Sequence, residues 1–101
     1  MKAPNFLSVT CENAPPETSR PSAEKVIHGD PVHTAWNLED RDGLYAGIWQ
    51  STPGKWLVSY DEWEFCHIIS GEVELKKEGS RKGWRFKKGD AFIVPAGFRG
   101  T

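Results

Sequence analysis

Turn-forming clusters interrupt this chain so often that no long helix fits between them. They fall at Gly29-Asp30-Pro31, Asp42-Gly43, Pro53-Gly54, Ser70-Gly71, Glu78-Gly79-Ser80, Lys82-Gly83 and Lys88-Gly89-Asp90. Glycine supplies positive φ, aspartate bonds its own backbone, and proline fixes φ, so each cluster ends a regular element. Between them lie short runs rich in aromatic and branched residues: GLYAGIWQS, KWLVSY, WEFCHII, GEVELKK, WRFK and AFIVP. Short strands separated by turns at intervals of about eight to twelve residues predict an all-β sandwich or barrel.

Two of the runs alternate cleanly. In GEVELKK, Val73 and Leu75 oppose Glu72, Glu74 and Lys76, and in WRFK, Trp84 and Phe86 oppose Arg85 and Lys87. Each of these strands should have one wet face. WEFCHII and AFIVP are apolar on both faces, as expected of strands covered on two sides by another sheet or by a partner subunit. That pattern points to a homodimer.

The chain has 101 residues, enough for one domain. We expect residues 1–24 to form an extended N-terminal arm, because APPETSRPS is too rich in Pro and Ser for a helix or an inner strand. Phe6 to Val9 could pair onto a sheet edge. Residues 25–101 would then be the folded domain. No run approaches the ~20 apolar residues of a membrane helix, and the N-terminus lacks the apolar stretch of a secretory signal. The expected setting is cytoplasmic, with no membrane partner. Two cysteines, Cys11 and Cys66, make no disulfide framework. The net charge of −1 conceals an excess of acid over residues 1–75 and of base over 76–101. The basic residues fall at hairpin tips and on a wet strand face, where lysine also blocks edge pairing, so no nucleic-acid partner is expected.

The stretch GDAFIVPAG places Gly89, Pro95 and Gly97 at the spacing of a strand that closes in a Pro-x-Gly corner. Upstream, Glu64 is followed by six residues and then Gly71. Together these resemble the two halves of the cupin signature. HGDP, GIWQSTPGKW, EFCHIISGEVEL, FKKGDAF and IVPAGFRGT resemble the short cupins related to (S)-ureidoglycine aminohydrolase and the ethanolamine-utilisation accessory cupin. The resemblance runs over roughly residues 27–101. It implies an RmlC-like cupin jelly-roll barrel (a double-stranded β-helix), here lacking its last C-terminal strands or closing differently.

The same resemblance exposes a departure. The metal-binding cupin pattern, laid on Glu64 and Gly71, puts its first two histidine slots at Val58 and Tyr60 and its last at Gly100. Of four ligand positions only Glu64 remains, and a transition-metal site needs about three to four donors in fixed geometry. The expectation is therefore a barrel with no metal and no cofactor.

Val58, Tyr60, Glu64 and Cys66 share strand parity and should face the barrel interior together. Glu64 is read as a general base or polar anchor, and Tyr60 as an acid/base phenol or a filler of space a histidine would occupy. Cys66 is a ligand contact or a small buried hydrophobe. Arg99, beside the vacant last slot, could clamp a carboxylate or pair with Glu64. Trp49 and Trp56 are candidate aromatic walls of a ligand mouth, or core bulk. His67 has the opposite parity and should face away, and His28 and His33 are placed in a loop. The resemblance implies a small polar ligand of ureido, amino-acid-like or sugar-like character, held by an enzyme or an enzyme-like binder. The alternatives are a non-catalytic ligand-sensing or accessory dimerisation module, and a metal-dependent ureidoglycine aminohydrolase-like hydrolase.

Overall fold

The computed structural model describes residues 6–101. Eleven strands and two short 3-10 turns make up its regular structure, so the all-β expectation holds. The described residues gather into two compact units, one of residues 6–22 with Gly29–Gly54, the other of Ala23–His28 with Lys55–Thr101.

The first unit is built on a three-stranded antiparallel sheet. Its strands are β1 (Pro16–Ser19), β3 (His33–Arg41) and β4 (Leu44–Ser51), in the order β1-β3-β4. Asp42 and Gly43 join β3 to β4 with φ of 52° and 82°. Positive φ at both central residues is the signature of the type I′ turn, whose twist matches that of the strands it joins. The register slips between Asn37 and Glu39, a bulge that leaves Leu38 unpaired. β1 lies at the sheet edge, where a proline without an N–H is tolerated, and Glu17 accepts a 3.0 Å hydrogen bond from the Asn37 amide. The pairing segment of the N-terminal region is thus Pro16–Ser19, whereas Phe6 to Val9 carry no strand. His33, read as a loop residue, opens β3 and packs its ring 4.9 Å from that of Trp49.

β2 (Val26–Gly29) pairs with β5 (Gly54–Trp56). The second unit holds three antiparallel pairs: β6 (Val58–Ser59) with β11 (Arg99–Gly100), β7 (Glu64–His67) with β10 (Ala91–Val94), and β8 (Glu72–Lys76) with β9 (Gly83–Lys87). In the β8–β9 hairpin Val73 faces Phe86 and Leu75 faces Trp84, while on the wet side Arg85 donates to Glu74 at 2.7 Å. The expected alternation is present. The Gly-Asp turn before β10 sets its register: Gly89 N–H donates to Ile68 O, and Ile68 N–H to Asp90 O. Asp90 also accepts the Lys87 N–H through its carboxylate at 2.8 Å. Val94 is 3% exposed and anchors the core, around which Phe86 stacks on Phe92 at 3.8 Å and Trp84 and Tyr60 meet Phe98 at 6.3 Å. The described residues do not cover both faces of β7 and β10: Phe65 and its cross-strand partner Ile93 are 63% and 61% exposed.

Candidate functional site

The second unit assembles its polar centre from the ends of two ladders. Tyr60 extends the β6–β11 ladder: its N–H donates to Phe98 O at 2.9 Å, and its carbonyl accepts from Gly97 N–H at 2.7 Å. The Pro-x-Gly corner therefore locks the Tyr60 backbone, and the Phe98 ring lies against the phenol. Glu64 and Cys66, two apart on β7, point to the same face as the period of a strand requires. The Cys66 thiol donates to Glu64 Oε1 at 3.6 Å.

The electrostatics follow from that crowding. Burial, then the Glu64 charge, then Cys66 push the Tyr60 phenol from its ordinary 10.0 up to about 12. Burial, the Glu64 charge and the hydrogen bond to Glu64 raise the Cys66 thiol from 9.0 to about 12. Both groups hold their protons at neutral pH. The thiol is a weak donor rather than a nucleophile, since the thiolate is the reactive form. The centre thus offers one carboxylate acceptor flanked by an O–H and an S–H donor. Such a set suits a ligand that presents N–H or ammonium groups to Glu64 and an acceptor to Tyr60.

Arg99 lies elsewhere. It is paired with Ser59, the neighbour of Tyr60 on β6, so its side chain leaves the opposite face of the ladder from Tyr60 and Phe98. Among the described residues no ion pair joins it to Glu64. It lines an open groove of about 500 Å³ whose lining contains none of Tyr60, Glu64 and Cys66. Trp56 is half-buried on β5. Trp49 belongs to the first unit, on β4, where it packs on His33. Burial lowers the His33 pKa from its ordinary value. His67 is exposed on the same side of β7 as Phe65, as its parity requires. The sequence reading missed Phe98, although its place directly after Gly97 in the Pro-x-Gly corner was the available signal.

The residues present do not fit the usual cupin metal. Among the described residues no three His, Cys, Asp or Glu side chains come together as a potential metal set. The last histidine slot is closed by backbone: Gly100 is buried, and a Cβ placed there would run into the carbonyl of Lys76. No helix among the described residues is long and apolar enough to cross a membrane. Residues 38–101, more than half of the chain, match the family model described as the EutQ-like cupin domain. No curated protein matches the chain.

Proposed function

Because the chain belongs to the EutQ-like cupin family, we propose that it binds a small polar molecule at the Tyr60–Glu64–Cys66 face. Glu64 anchors the ligand's N–H or ammonium group, or serves as its general base, and Tyr60 donates to the ligand's acceptor. Cys66 orients the Glu64 carboxylate. The ligand class that fits is ureido or amino-acid-like, with sugar-like polyols next. The setting is cytoplasmic. The observation that supports this reading is the grouping of one carboxylate with the Cys66 thiol on β7 and the Tyr60 phenol at the end of the β6–β11 ladder. A thermal-shift panel of ureido compounds, amino acids and sugars tests it. A ligand that raises the melting temperature of the native chain and fails with Glu64→Gln supports the site. A ligand that stabilises both proteins equally removes Glu64 from it.

A second reading, a non-catalytic accessory module that dimerises through its sheet, has its own support. The cross-strand pair Phe65–Ile93 stands exposed on the outer face of β7–β10, and large apolar residues held together at a surface mark interaction sites. The occupant proposed is a second copy of this chain. Light scattering on the purified chain, repeated with Phe65→Ser, separates the readings. A dimer that the substitution splits supports the homodimer, and a monomer in both cases removes it.

A further inference from the structure

We propose that the groove beneath β11 is a second ligand site, for a small organic dianion such as a phosphomonoester or a dicarboxylate. It is independent of the Glu64 face. Its frame is backbone. β11 pairs with β6 on one edge, and on the other Lys76 and Thr101 exchange two 3.0 Å hydrogen bonds while Glu78 N–H donates to Arg99 O at 2.8 Å. Three chain segments are thereby fixed side by side, with Lys77 bridging Gly100 between them. The approach of Gly100 to the Lys76 carbonyl is what allows β11 to lie this close.

Cations from three elements line that frame. Lys55 comes from β5, Lys76 from the end of β8 and Arg99 from β11, with Lys77 one residue further along and of opposite parity to Arg99, and Glu78 is the acidic side chain of the lining. Among the described residues no ion pair engages Lys55, Lys77 or Arg99, and Lys76 reaches Glu74 at 3.6 Å. Arg99 stands opposite Ser59 in the ladder, so the two side chains leave the same face. The guanidinium fork matches two oxygens of a phosphate or carboxylate, and the lysines supply the remaining charge. Leu57, 48% exposed, gives the groove an apolar wall for the ligand's carbon skeleton. A volume of about 500 Å³ accommodates a small metabolite. Glu78 limits the affinity and selects against ligands whose negative charge extends toward it.

The test is a nitrogen-15 NMR titration of the full chain with inorganic phosphate and, separately, succinate, with sodium chloride holding the ionic strength constant. The expected result is saturable shifts at the amides of Ser59, Lys76 to Ser80, Arg99 and Thr101 with at least one probe. The probe that saturates tells phosphate from dicarboxylate chemistry. Arg99→Gln should weaken binding about tenfold, the loss of a charge-assisted pair, while Lys88→Gln, an equal change of charge outside the groove, should leave it unchanged. Should Arg99→Gln fail to fold by circular dichroism, Lys55→Gln is read in its place. Shifts that never saturate with either probe, or that weaken equally in the groove and control variants, overturn the site.

Discussion

One strand pair of the second unit carries two opposite chemistries. On the inner face of β7 and β10, Cys66 and Phe92 are half-buried, Val94 is sealed, and the Cys66 thiol engages the Glu64 carboxylate. On the outer face, Phe65 and Ile93 are as apolar as Phe92 and Val94 and yet far more exposed. Hydrophobicity alone would not separate them. The inner face tolerates a carboxylate because it has donors to engage it and leaves the residue partly open to solvent, whereas a fully buried unpaired charge would cost several kcal/mol. The described residues leave the outer face uncovered, and leaving a Phe or Ile side chain exposed forgoes about 1.5–3 kcal/mol of burial. The two faces therefore differ in chemistry: one presents a carboxylate beside a thiol, and the other an exposed apolar pair.

The largest effect separating the faces is on stability. Phe92→Ala removes the stacked partner of Phe86 and should cost about 3 kcal/mol, at the low end for aromatic truncation because Phe92 is half-buried. Phe65→Ala in dilute protein should stay within about 0.5 kcal/mol, as for exposed positions generally. Urea melts at low protein concentration read both. Equal costs would mean that the outer face is packed in the monomer, and the comparison would collapse.

The distinction between faces also explains what the sequence could disclose. Glu64 and Cys66 stand two apart on β7 and share a face as a period of two requires, whereas Tyr60 precedes a bend at Asp61 and Glu62 and is tied to them by the effect of the Glu64 charge on its phenol. The same period misleads when sequence neighbours are read as spatial ones. Arg99 adjoins the Gly100 slot, and that adjacency suggested a partner for Glu64, but one residue along a strand is the opposite face. β8 and β9 were legible from their alternation, and the β3–β4 turn from Asp42-Gly43. β3 was not, because HTAWNLEDR mixes polar and apolar residues without a clean period, and its pairing with β4 across that turn makes it a strand. β1 escaped for a related reason. All four of its residues are exposed, so no burial pattern was written into them, and hydrogen bonding to the edge of β3 defines it. Of the groove lysines, Lys76 and Lys77 were visible only as part of the basic run over 76–101 and Lys55 not at all, since their place near Arg99 depends on how β5, β8 and β11 align.

A second, smaller effect probes how the inner face is closed. Gly100→His restores the residue that the metal-binding pattern would have there, but its Cβ meets the Lys76 carbonyl. Overpacking of this kind costs about 1–3 kcal/mol. The variant should melt lower than the native chain, and adding manganese or zinc should not recover the loss. Recovery by metal would show that the slot opens and that the inner face can be turned into a metal centre.

The smallest effect is the most specific to the inner face. Tyr60 and Cys66 both hold their protons more tightly in the folded chain than in the unfolded one, where they would titrate near 10.0 and 9.0. At pH values between those ordinary pKa values and about 12, the unfolded chain binds fewer protons than the folded one. Stability from these groups is therefore complete below about pH 9 and is lost as pH climbs toward about 12. Glu64→Gln removes the charge that helps raise both pKa values, so the alkaline loss should shrink, while stability at neutral pH stays within about 1 kcal/mol, with no Arg99 partner left stranded. The same substitution should make the Cys66 thiol more acidic. In a Cys11→Ser background its labelling by a thiol reagent at pH 8.5 should rise about three- to tenfold, since each unit of thiol pKa changes the thiolate fraction about tenfold. An unchanged rate together with an unchanged alkaline melt would mean that Glu64 does not act on its two neighbours, and the inner face would then be a packed surface with a solvated carboxylate at its edge.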